Sequence, residues 1–257
     1  MRSKLPDTVA PVPHPSSEPA SEPRPDPLAW LTELEGVPSA FASTRDGIDV
    51  MLRDRGLRRT TPEQTAESLL RGAHASAVLE GSTATLDDVR AGTGGDAIAQ
   101  AAVRVSTELL SLVPVVGRSP AQAFARLHAL TGGGSPGRPI SSEAAGRLQS
   151  LARTMLQTKA PALLVAALVH ADLVSAAAFA DHNGIVARAA ERLVLVGRGV
   201  DPASLVVPEA GHLALRAEYE SNLRGYRDGG AAGVHSWLLY AAEAYAKGAE
   251  ASPLNAG

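Results

Sequence analysis

Cysteine is absent from the 257 residues, which excludes disulfides and thiolate metal centres and removes any compositional sign of a redox compartment. Aromatic side chains are nearly as scarce, at 4% against 45% hydrophobic residues in all, so alanine, leucine and valine must do the packing. Small aliphatic residues suit close helix-to-helix contact better than the faces of a sheet, and the expected fold class is all-α. No run of lysine or arginine stands out and the formal net charge is -3, so neither a nucleic-acid backbone nor an anionic membrane is an expected partner. There is no apolar signal region near Met1, and the longest apolar run, 160–169, is too short to span a bilayer, which leaves a cytoplasmic location as the expectation. Missing too are metal ligands at zincin spacing, a GxxxxGK(S/T) phosphate loop and a GxSxG nucleophile elbow.

What the chain holds reads as a leader over 1–27, one helical domain over 28–250 and a flexible tail over 251–257. The leader has eight of the 18 prolines among Ser, Glu and Asp, too little apolar surface to offset the entropy of ordering, and is expected to be disordered. Its other reading is a proline-rich ligand for an aromatic groove. From Leu28 to about Arg59 the pattern is broken helix and loop, with Trp30 and Leu31 expected against the domain. Thr61-Pro62-Glu63-Gln64 combines an N-cap, a proline at the first helical position and a capping-box glutamine, so a helix is expected over 62–80, stopped by Gly81. Further helices are expected from Thr85 to near Gly92, Asp96 to Leu112, Ser119 to Leu130, Ser141 to beyond Met155, and after Pro161 to near Ser175. Three more follow, at about Ile185 to Val196, His212 to Arg227 and Ala231 to Lys247. The glycine-rich stretch 131–139 reads as a loop.

Phe179-Ala180-Asp181-His182-Asn183-Gly184 opens directly into an amphipathic helix that carries Arg188. A helix start leaves about four backbone N–H groups unpaired, and its macrodipole adds partial positive charge, so an anion satisfies both at once. Arg188 lies about one turn further on, where it can lean back over that end. Upstream, Glu80 falls in the last turn of the 62–80 helix, the unfavourable end of the dipole for a carboxylate, and so wants a partner.

The stretch resembles the signature of the Fic (Fido) family, HPFx(D/E)GNGRxxR, whose loop cradles nucleotide phosphates ahead of a long helix. Phe179, Asp181, Asn183, Gly184 and Arg188 fall on the family's phenylalanine, acidic residue, asparagine, second glycine and second arginine. Ala177, Ala178, His182 and Ile185 stand where the family has its histidine, proline, first glycine and first arginine. Ser76, Glu80 and Gly81 fit the family's inhibitory pattern (S/T)xxxE(G/N), whose glutamate pairs with the second arginine and obstructs the seat of the nucleotide's terminal phosphate. The resemblance therefore implies a Fic-type helical domain, an ion pair between Glu80 and Arg188, and phosphate contacts from Asp181, Asn183, Gly184 and Arg188. It also implies a target-docking flap near 131–139, either a short β-hairpin or unstructured.

In the family the signature histidine takes a proton from a target hydroxyl, which then attacks a nucleotide phosphate; Ala177 cannot do this. The expected function is a degenerate nucleotide- or phosphate-binding protein, deficient in AMP transfer and acting through binding or regulation, with ATP and Mg²⁺ the implied ligands and the protein target unspecified. The alternative is an active adenylyltransferase (AMPylase), or a related phosphate-group transferase, with a base outside the motif; His182 is the nearby candidate. Asp181 is either the family's metal ligand or an ordinary turn acid, and Asn183 either an N-cap or part of the cradle. His170 is expected to be a core histidine, Phe179 a core residue, and Glu191 and Arg192 solvated helix charges.

Overall fold

The computed structural model describes residues 25–53, 60–92 and 95–255, and among these there is no β-strand. Most of the expected leader lies outside the described residues. Its last part does not: Asp26 accepts hydrogen bonds from Thr158 Oγ1 at 2.8 Å and from the Lys159 amide at 2.6 Å, which fastens residues 25–28 to the domain.

Helix α1 spans Val37–Met51, where broken helix was expected. Gly36 and Pro38 start it rather than break it, and Thr44 donates to the Ala242 carbonyl from its buried face. Leu31 is buried as expected, but Trp30 is 46% exposed because its short 3-10 turn presents only Leu31 to the core. Helix α2, Pro62–Leu79, has the full capping box between Thr61 and Gln64. Thr85 caps α3, Leu86–Ala91, in the same way, and Asp96 caps α4, Ala97–Glu108. A 3-10 turn over Leu109–Leu112 and a short α5, Val113–Val116, continue the path, then α6 runs over Pro120–Thr131. By length and composition the combined segment Ala97–Val116 could cross a bilayer, a longer candidate than the run at 160–169; here α4 packs on α2 and α6, and α5 on α6 and α9.

Ser141 caps α7, Ser142–Gln157, and Pro161 introduces α8, Ala162–Ala176, buried nearly all round and therefore central. Helix α9, Asn183–Gly197, packs along α8. The single helix expected over 212–227 is two, α10 at Pro208–Ala214 and α11 at Arg216–Asp228. At Gly211 a Cβ would collide with the Ala244 carbonyl, so α10 is pressed against α12, Gly230–Glu250; the chain turns at Leu215, and α11 packs on both α12 and α8. The tail expected to be flexible is ordered as far as Asn255, because Leu254 is buried on the domain in a 3-10 turn over Pro253–Asn255.

Helix α9 is enclosed on so many sides that its charges are inside. Glu191 and Arg192, expected in solvent, are 0% and 2% exposed. Arg192 donates to Ser204 Oγ at 2.8 Å, to Glu209 at 3.0 Å and to Ser68 of α2, whose close approach requires Gly72, since a Cβ there would collide with the guanidinium. Glu191 accepts from His170 Nδ1 at 2.9 Å, His212 Nε2 at 3.0 Å and Tyr245 at 2.8 Å. Trp237, Tyr219 and Tyr240 wall this cluster, so the few aromatic residues are concentrated around one buried carboxylate. Burial pushes His170 down to about 4 despite the pull of Glu191; burial pushes Glu191 up, but the two histidines outweigh it and hold the carboxylate below its usual range.

Two predictions follow from this core. Gly72→Ala should cost about 1–3 kcal/mol by overpacking the Arg192 clamp, while Gly47→Ala, with open space around the new methyl inside α1, should gain about 0.5–1 kcal/mol, both read by urea unfolding. The unfolded chain protonates His170 near 6.5 but the native one only near 4, so stability present above pH 6.5 is lost as pH falls through that window, at about 1.4 kcal/mol per pH unit for one proton. Glu191 adds a further loss below its ordinary 4.5. Unfolding midpoints at pH 7, 6 and 5 check this: they should fall in that order, less steeply in His170→Gln, and a flat profile would contradict a neutral buried His170.

Candidate functional site

The signature loop is held at both ends by its own backbone and by two neighbours. Ala177 ends α8 at φ 42° and His182 precedes α9 at φ 52°, so two non-glycine residues occupy the left-handed region on either side of the turn. Asn183 is the first residue of α9 rather than its N-cap. Its side chain folds back instead, accepting from the Phe179 amide at 2.9 Å and donating to the Phe179 carbonyl at 2.8 Å. That pair closes the loop on itself and leaves the first turn of α9 without a side-chain cap, which keeps its amides for another acceptor.

Asp181 turns away from that helix end. Its Oδ1 accepts from His128 Nε2 at 2.9 Å, and the His128 Nδ1 in turn accepts the Gly137 amide at 3.0 Å, which assigns the proton to Nε2. His128 is fully buried and stacks on Phe179 with ring centroids 4.3 Å apart. A Cβ on Gly133 would collide with both Asp181 carboxylate oxygens, so the glycine-rich loop lies directly over this acid. The segment is not a β-hairpin: beyond α6 it runs through turns and irregular backbone, and the Ile140 amide donates to the Ala178 carbonyl at 2.9 Å.

The anion beside the start of α9 comes from α2. Arg188 is 1% exposed and uses its donors in three directions. Its Nε donates to Ser76 Oγ at 2.9 Å, one terminal nitrogen to Tyr219 Oη at 3.0 Å, and the other to Glu80 Oε1 at 2.7 Å and to the Ser76 carbonyl at 3.1 Å. Glu80, 29% exposed, is the C-cap of α2, and Gly81 beyond it takes φ 94°, where a glycine is the fitting residue. A Cβ on Gly184 would collide with Glu80 Oε1, so the carboxylate rests on the backbone of the first turn of α9. The carboxylate and the guanidinium thus meet over an uncapped helix N-terminus, where dipole and charge both favour an anion.

The structure brings Ser76, Glu80, Gly184 and Arg188 together, with Gly81 adjoining, and sets Asp181 apart on the His128 side. Ile185 is 2% exposed and adds no charge. Two residues that complete the site were not singled out from sequence. His128 follows Phe124 by one turn on the buried face of α6, a spacing that marks it as inward-facing; Tyr219, on the polar helix α11, has no such local signal.

No family model matches the chain, and no curated protein matches it. Solved structures do. A Fic family protein from Desulfovibrio desulfuricans G20 aligns with TM-score 0.68 at 19% identity, over 80% of this chain and 73% of its own. Fic-1 (residues 134–508) from C. elegans aligns with TM-score 0.63 at 15% identity, over 82% of this chain and 69% of its own. The arrangement of helices that carries Glu80 to Arg188 is therefore the Fic-type fold.

Proposed function

We propose that this protein holds a nucleotide-phosphate seat at the start of α9 that Glu80 of its own chain keeps closed, and that it acts through binding or regulation rather than by transferring AMP. The observation that carries the reading is the carboxylate of Glu80 pressed onto the Gly184 backbone with Arg188 at 2.7 Å. A carboxylate in that position pairs with Arg188 and occupies the space over the first turn of α9 that phosphate oxygens would need, so the two compete.

Transfer lacks its parts. Ala177 has no proton-accepting group, and Ile185 supplies no second cation for a phosphate. Loss of a general base alone costs about a hundredfold to ten-thousandfold. His128 does not replace it, since both ring nitrogens are committed inside the fold, one to Asp181 and one to Gly137. The protein's own carboxylates make no complete Mg²⁺ cage here: Asp181 is the one carboxylate of the loop, its Oδ1 is engaged by His128, and the other oxygen ligands would have to come from phosphates and water. An ion carried in by a nucleotide's phosphates would meet Asp181 through Oδ2, with Oδ1 kept on His128.

Calorimetric titration with ATP tests the proposal. Wild type should bind at least tenfold more weakly than Glu80→Gly, and adding Arg188→Ala to Glu80→Gly should abolish the gain. Absence of binding to a folded Glu80→Gly would end the phosphate-seat reading. Self-labelling of that variant by radiolabelled ATP would instead overturn the assignment as transfer-deficient.

A further inference from the structure

Arg188 has a second route out of its charge besides Glu80. A guanidinium can only donate, and with His170 kept neutral by burial the hydrogen bonds along this route run in one direction. Arg188 donates to Tyr219 Oη at 3.0 Å, so the single hydroxyl hydrogen of Tyr219 goes to His170 Nε2, 2.9 Å away. An accepting Nε2 leaves the His170 proton on Nδ1, which donates to Glu191 Oε2 at 2.9 Å. From the other side, His212 Nε2 donates to the same carboxylate at 3.0 Å, and its Nδ1 lies 2.8 Å from Tyr240 Oη. Tyr245 fills the remaining Glu191 oxygen at 2.8 Å.

His170, Glu191 and His212 have the makings of a metal site, with ligand atoms within 4.8 Å of one another. The polarity argues against it. An ion on His170 Nδ1 would move the proton to Nε2, which would then donate to a Tyr219 oxygen already accepting from Arg188, and strand the tyrosine hydrogen in a dry core. Protons, not a cation, complete this cluster.

Charge matching gives the chain its purpose. Arg192, one turn along α9, is balanced by Glu209 at 3.0 Å. Among the described residues Glu191, fully buried, has no lysine or arginine within ion-pair distance; its close partners are His170, His212 and Tyr245, and the Tyr219–His170 chain leads from it to Arg188. We infer that Glu191 is the internal counter-charge of Arg188 and that Tyr219 and His170 are positioning residues that hold the guanidinium in place, so that Glu80 is its detachable partner. Removing one member of a buried pair normally strands the other, a strongly destabilising event. Here Glu80 can leave and Arg188 remains neutralised, hydrogen-bonded and aimed at the start of α9. This inference deepens the closed-seat reading: it explains how the seat opens without unfolding the core that forms it.

A double-mutant cycle with Glu80→Ala and Tyr219→Phe tests it, by urea unfolding and by the NMR signal of the Arg188 Nε–H group. Glu80→Ala alone should lower the folded-to-unfolded ratio less than about tenfold and leave that signal protected from solvent exchange. In the Tyr219→Phe background the same change should cost about tenfold more, with the signal lost, as expected for groups sharing one network. Glu191→Gln provides a second background with the same expected penalty should Tyr219→Phe not fold. Equal costs in the wild-type and altered backgrounds, or loss of the Arg188 signal in Glu80→Ala alone, would overturn the inference. Neither readout involves a nucleotide, so a failure of ATP to bind Glu80→Gly would leave this result independent.

Discussion

A guanidinium with almost no access to water must find an acceptor for each of its donors, and Arg188 sets the geometry of this molecule by where it finds them. Ser76 supplies a hydroxyl and a carbonyl from α2, Tyr219 a hydroxyl from α11, and Glu80 a carboxylate from the end of α2. One turn further along α9, Arg192 repeats the arrangement with Ser68, Ser204 and Glu209. Two arginines four residues apart thus grip two serines eight residues apart on α2, with Gly72 between them to admit the second guanidinium. The relative placement of α2 and α9 follows from those clamps, and with it the position of Glu80.

The same placement resolves an electrostatic misfit. At the C-cap of α2 the carboxylate of Glu80 is at the negative end of its own helix dipole. Over Gly184 it is at the positive end of α9, beside a buried cation. What α2 disfavours, α9 more than offsets, and a residue that looks poorly placed within its own helix becomes the stopper of its neighbour. Because Glu80 keeps some contact with water while Arg188 keeps almost none, the acid is the member of the pair that can move.

Much of the local structure was legible in the sequence. Thr61, Thr85, Asp96 and Ser141 mark four helix starts through short-range hydrogen bonds that need no tertiary context. The meeting of Glu80 and Arg188 was not legible from periodicity at all, since it joins positions 108 residues apart; it came from the likeness of two short motifs to one family. Glu191 and Arg192 were misread because charge on an amphipathic helix usually faces solvent, whereas α9 is covered on its polar side too. A sign of this existed: Ser68, Gly72 and Ser76 form a small, polar stripe at four-residue spacing, the shape needed to receive long cationic side chains. The aromatic residues gave another, since Tyr219, Tyr226, Trp237, Tyr240 and Tyr245 crowd into one short region of an otherwise aromatic-poor chain. The helix break at Leu215 had no local sequence signal; it falls where α10, pressed on α12 at Gly211, gives way to α11.

Everything functional in this account rests on the start of α9 being an anion seat that an internal carboxylate happens to fill. The most direct measurement is a crystal structure of Glu80→Gly grown with sulfate. Sulfate density is expected on the first-turn amides of α9 with Arg188 in its present position against Ser76 and Tyr219. A well-ordered structure in which that end is occupied by water alone, or in which Arg188 has swung away from it, would contradict the central claim.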